Sequence, residues 1–117
     1  MNHPAIGAIW ETHVVMQVQK HFQALGKDRP LWFWRTIHGD ETDLLIEQGG
    51  RFIAIEIKFS ENPDAKSRKG INALTTMYGE KSLISGLVAS RTKHVYSLSE
   101  VVRTVPESDI DLYLQQG

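Results

Sequence analysis

Residues 42–60, T-D-L-L-I-E-Q-G-G-R-F-I-A-I-E-I-K-F-S, read as two β-strands joined at Gly49-Gly50. Adjacent glycines between apolar runs signal a hairpin, because a type I′ turn needs positive φ at both central positions. A two-residue turn there fixes the register: partner numbers sum to 99, so Gln48 faces Arg51, Ile46 faces Ile53 and Asp43 faces Glu56. Directly opposed side chains lie about 4.5–5.5 Å apart at Cβ, and like charges so placed repel. Such a pair calls for a cation between its members. Lys58 follows Glu56 by two residues and shares its face, since strand side chains alternate. The other face is apolar: Leu44, Ile46, Ile53, Ile55, Ile57 and Phe59. One hairpin thus carries a core side and a side bearing two acids and a lysine.

Upstream, residues 5–25 have helical periodicity. Steps of about 100° per residue place Ala8, Glu11, Val15, Val18, Phe22 and Leu25 in one stripe, with His13, Gln17, Lys20 and Gln23 opposite. A carboxylate within an apolar stripe is costly unless paired or metal-bound, which singles out Glu11. Gly26 fits a helix C′ position, and residues 27–30 form a turn. Leu31 to Ile37, aromatic and β-branched, reads as a strand. A turn centred on Gly39-Asp40 pairs it with the Asp43 strand, placing Thr36 opposite Asp43 and Trp34 opposite Leu45. Trp32 and Trp34 then share the acids' face, as packing residues.

Downstream, Asn62-Pro63 suits an N-cap followed by proline at the first helical position. The helix through residue 78 buries Ile71, Leu74, Met77 and Tyr78 and carries Lys66, Arg68 and Lys69 in its first turns. Cations there oppose the helix dipole, so they face solvent or an anion. Residues 82–90 are nearly continuous apolar, the pattern of a strand covered on both faces and parallel to the Glu56 strand. One or two short edge strands follow, and a short helix over residues 108–115 closes the chain. The five histidines show no zinc-ligand spacing and read as surface residues.

At 117 residues the chain suits one domain. The absence of cysteine excludes disulfides and thiolate metal sites and fits a reducing cytoplasm. A net charge of −1 gives no global attraction to nucleic acid, so any such contact rests on a local patch. No stretch approaches the roughly 20 apolar residues that span a bilayer.

A helix with Glu11, a hairpin with Asp43 and Glu56-x-Lys58, then a helix and a strand: this order resembles the PD-(D/E)XK nuclease superfamily. More closely, G-A-I-W-E, W-R-T-x-x-G-x-E-T-D-L-L-I-E, A-I-E-I-K-F-S and T-V-P-x-S-D-I resemble a C-terminal domain of unknown function carried by many bacterial and archaeal AAA-type ATPases. The resemblance runs from about Gly7 to Leu114. It implies an α/β restriction-endonuclease-like core, a mixed central sheet flanked by helices in αβββαβ order, spanning residues 1–117 as one domain. It also implies roles: Asp43 and Glu56 as metal-binding acids, the Ile57 carbonyl as a third ligand, Lys58 as the lysine that orients water, and Glu11 as the helical acid, linked directly or through water. Thr42 stands where the superfamily's name has proline. No G-x-x-x-x-G-K-[ST] loop occurs, so the ATPase part is absent and the chain is an excised domain or a stand-alone relative.

Hard carboxylate donors suit Mg²⁺ or Mn²⁺. The expectation is a Mg²⁺-dependent nuclease acting on DNA, with Lys66, Arg68 and Lys69 as candidate phosphate contacts. The competing reading is a non-catalytic module that docks on an AAA-type ATPase. A third is an antiparallel-sheet homodimerisation domain with incidental acids.

Overall fold

The computed structural model describes residues 4–27 and 29–114. Helix α1 (Pro4–Ala24) is followed by strands β1 (Leu31–Arg35), β2 (Glu41–Gln48) and β3 (Arg51–Ile57). A 3₁₀ turn (Ala65–Arg68) leads into α2 (Lys69–Tyr78), and then come β4 (Leu83–Ser90), β5 (Tyr96–Ser97), β6 (Val102–Pro106) and a 3₁₀ segment (Glu107–Tyr113). The strands form one mixed sheet in the order β1-β2-β3-β4-β6-β5. Its β1-β2-β3 part is antiparallel, whereas β3, β4 and β6 run parallel.

The hairpin register is the expected one as far as Leu44: Gln48 pairs with Arg51, Ile46 with Ile53 and Leu44 with Ile55, but the ladder ends there and the expected Asp43–Glu56 pair is not part of it. Gly49 and Gly50 have φ of 60° and 79°, the positive values their turn demands. Arg51 then ties the hairpin to the crossover, donating to the carbonyls of Lys81 (3.0 Å) and Leu83 (2.9 Å).

Each sheet face has its own core. Leu44, Ile46, Ile53, Ile55, Ile57 and Leu87 pack with Val14, Val18 and Phe22 of α1. Leu45, Ala54, Val88 and Val102 pack with Ile71 and Leu74 of α2. Burying each such Leu, Ile or Val contributes about 1.5–3 kcal/mol before entropic losses. Among the described residues no helix is long and apolar enough to cross a membrane.

Several expectations need correction. The buried stripe of α1 is Val14, Val18 and Phe22, while Ala8 and Leu25 are exposed and Glu11 flanks the stripe. The helix is rotated slightly from the expected phase, so that Val14 is fully buried while Val15 packs against the same core only partly buried. On β1, Trp32 pairs with Leu45 and Trp34 with Thr42, so the expected Trp34–Leu45 and Thr36–Asp43 pairs do not form. The β1–β2 turn closes at Thr36–Asp40 (N–H to O, 2.8 Å), two residues earlier on β1 and one on β2 than expected. The cap preceding α2 is Asp64, whose carboxylate accepts from the Lys66 N–H at 3.0 Å, and not Asn62. Met77 and Tyr78 are exposed, and β6 lies inside the sheet. The closing segment is 3₁₀ rather than α, and the expected end of it, Gln115, lies outside the described residues, as does His3. His21 is not a surface residue: its side chain is 7% exposed and lies 3.7 Å from Asp111.

Candidate functional site

The β2–β3 ladder is regular from the turn to Leu44–Ile55 and then opens. The partner strands pull apart for a local reason. Between the Trp32–Leu45 and Trp34–Thr42 pairs, β1 contributes only Phe33 while β2 contributes Asp43 and Leu44. That is a β-bulge, which bends its strand and re-aims its side chains. β2 keeps its pairing with β1 beyond the bulge, and β3 stays with β4, pairing Glu56 with Val88 and Ile57 with Ala89.

The Asp43 carboxylate enters the opening. Its Oδ2 accepts the Ile57 N–H at 2.7 Å, replacing the lost ladder bond. Lys58 N–H bonds to the Ala89 carbonyl on the β4 side. Because backbone groups alternate along a strand, the Ile57 carbonyl points with its N–H into the gap.

Glu56 is 4% exposed, and its Oε1 is buried with no hydrogen-bond partner. Burial, then the neighbouring Asp43 charge, pushes its carboxyl up to about 8, with Lys58 pulling the other way. The interaction of the two side chains holds the proton on Glu56 and favours the ionised form of Asp43. The Asp43 carboxyl is also raised by burial, opposed by the Ile57 N–H and Lys58. Glu11 is raised by burial and by the charges of Asp43 and Glu41, and lowered by Lys58. The hairpin thus brings Asp43, Glu56 and Lys58 together, with Glu11 within electrostatic reach. Trp10, next to Glu11, packs edge-on against Phe59 with ring centroids 5.6 Å apart, which holds this part of α1 beside the end of β3. Glu11 also lines a groove of about 420 Å³ with Phe33 and Met16.

Two contributors went unread in the sequence. Glu41 adds negative charge to all three acids. Gly70, buried in the first turn of α2, meets the Glu41 carbonyl oxygen and Glu56 Oε1 where a Cβ would otherwise sit. Glu41 was legible as the first acid of E-T-D, two residues before Asp43, but Gly70 has no local signature. Of the candidate phosphate contacts, Lys66 is exposed, the Arg68 Nε is buried without a partner, and Lys69 pairs with Asp40 at 3.6 Å.

Among the described residues no three His, Cys, Asp or Glu side chains group closely enough to hold a metal ion by themselves. Two carboxylates and a carbonyl form a partial donor set, of the kind that Mg²⁺ completes with water.

A family model described as a domain of unknown function, DUF4143, matches residues 6–110. An uncharacterised protein of Mycobacterium tuberculosis and one of Mycobacterium bovis are each 34% identical over 107 residues, which is 92% of this chain and 22% of theirs. The chain therefore spans about a fifth of the length of these curated relatives. No solved structure matches it. The family match takes in the opened hairpin and both helices that flank it, and the chain belongs to the DUF4143 family.

Proposed function

We propose that the opened hairpin is a metal-dependent phosphodiesterase site on a restriction-endonuclease-like core, acting on DNA in the cytoplasm. The observation that carries this reading is Glu56: a buried carboxylate whose Oε1 lacks a partner, set beside a second acid. A buried carboxyl with a raised pKa in a polar opening is the usual mark of a functional group. Asp43 and Glu56, with the Ile57 carbonyl, would hold Mg²⁺ or Mn²⁺, and Glu11 would act through water. The ion would supply Lewis acidity towards a phosphate and lower the pKa of a bound water. Lys58, half-buried with three donors and no acceptor, orients that water or neutralises phosphate charge.

The test separates these roles. Calorimetric titration with Mn²⁺ should show binding that Glu56→Ala weakens at least about 100-fold. Lys58→Ala should abolish DNA cutting while Mn²⁺ binding survives. Undiminished binding in Glu56→Ala removes Glu56 from the site, and loss of metal binding in Lys58→Ala collapses the division of labour.

A second reading has its own support. The net charge is −1, Lys69 and Arg91 are already ion-paired, and the relatives are several times longer than this chain. These features suit a domain that docks within a larger AAA-type ATPase. Metal binding without cutting of any nucleic acid, combined with binding to an ATPase partner, would favour it.

A further inference from the structure

We propose that β1 is a self-pairing edge through which two copies of this chain join their sheets into one. β1 ends the sheet, with no described strand on its outer side. The opposite edge, β5, is protected by being two residues long. β1 has five residues, L-W-F-W-R, without proline. Its single charge, Arg35, is turned back onto Glu41 at 2.8 Å and does not guard the edge. Phe33 is 71% exposed and Trp32 53%. Long, aromatic, unguarded edges are templates for pairing.

Hydrogen-bond phase selects a second copy as the occupant. The Thr36 N–H bonds inward to Asp40, and Trp34 pairs with Thr42 two residues on, so even-numbered residues of β1 direct their backbone groups to β2. Leu31, Phe33 and Arg35 direct theirs outward. An antiparallel two-fold through Phe33 sets Phe33 against Phe33 and Leu31 against Arg35, matching every outward donor with an outward acceptor. It also sets Trp32 opposite Trp34 on the α2 face, an aromatic pair of the kind that stabilises sheets.

The area is adequate. A fully exposed aromatic side chain offers about 150–250 Å², so Phe33 and Trp32 of both copies supply roughly 500 Å². Leu31, Trp34, Arg35 and the strand backbones bring the total to about 1,000 Å², the lower bound for a specific interface. Strands are spaced about 4.8 Å apart, so the two Asp43 backbones would stand roughly 15 Å apart on one continuous sheet.

Sedimentation equilibrium of the full chain across concentration should show a monomer–dimer equilibrium. Phe33→Lys should raise its dissociation constant at least about tenfold. Phe33→Pro should do the same with unchanged circular dichroism, because it deletes an outward N–H and no β1–β2 bond. Amides of Leu31, Phe33 and Arg35 should exchange more slowly as concentration rises, while that of Trp34 stays slow throughout. A monomer at every concentration overturns the proposal. So does a dimer that tolerates both substitutions while those three amides exchange freely.

Discussion

β2 and β3 are one hairpin with two unlike ends. At Gly49-Gly50 the ladder runs without interruption up to the Gln48–Arg51 pair, and Arg51 secures the turn to the chain entering β4. At Asp43 and Glu56 the same strands part, a side chain replaces a backbone acceptor, and a carboxylate oxygen is buried with nothing to bond. Side-chain chemistry follows the same gradient, from Gln48 and Arg51 to two acids. Regular pairing stabilises, and interrupted pairing exposes donors to whatever fills the gap. The difference teaches that the open end is held in place by its surroundings: the bulge opposite Phe33, the ladder to β4, and the helix pressed on it at Gly70.

Four measurements test this contrast. The largest effect is expected at the contact between helix and open end. Gly70→Ala places a methyl against the Glu41 carbonyl and Glu56, and should cost about 4 kcal/mol of stability in urea unfolding. A change below about 1 kcal/mol would mean that α2 does not press on the site.

Next comes pH. The Glu56 carboxyl stands at about 8 in the folded chain against 4.5 unfolded, so the folded state holds its proton more tightly. Stability from this group is full below 4.5 and is lost as pH rises towards 8. The metal-free protein should therefore weaken by roughly 3–4 kcal/mol more than Glu56→Gln between pH 5 and pH 9. Parallel pH profiles for the two proteins would show that Glu56 is not held protonated.

A smaller change separates the two causes of that rise. Asp43→Asn removes the neighbouring charge but leaves Glu56 buried, so carboxyl NMR titration should find Glu56 lower than in the wild type yet still above 4.5. A fall to the ordinary value would make charge, not burial, the main cause.

The smallest effect belongs to the closed end. Gly49→Ala introduces a side chain at φ of 60° and should cost about 1 kcal/mol, with the Glu56 titration unmoved. A shift in that titration would show that the two ends are coupled along the strands.

What could be read in the sequence was whatever depends on alternation and turn chemistry. Two glycines and a period of two fixed the register, and with it the meeting of Asp43 and Glu56. The parallel placement of β4 followed from the strand–helix–strand order, and its cover on both faces from its nearly continuous apolar run. The β1 register was missed because the turn closes at Thr36–Asp40, around three residues instead of two and with Gly39 at φ of 89°; the bulge, unmarked in the sequence, then shifts the pairing back by one. The buried side of α1 was misplaced since valines at 14 and 15 satisfy two helical phases equally well. Gly70 was invisible because its demand for a bare Cα comes from β2 and β3, some 14 to 29 positions away.

The Arg51 anchor has a further consequence, for rates. The chain over the acids is pinned at its far end by Arg51 to Lys81 and Leu83, at its start by Arg91 N–H to the Ser60 carbonyl (3.0 Å), and between by the Tyr96 hydroxyl on the Pro63 carbonyl (2.7 Å). A roof fixed at three points does not swing as a lid. Contact between solvent and Glu56, which is 4% exposed, then depends on rotations of half-buried side chains such as Lys58 and Asp43 rather than on movement of the chain above them.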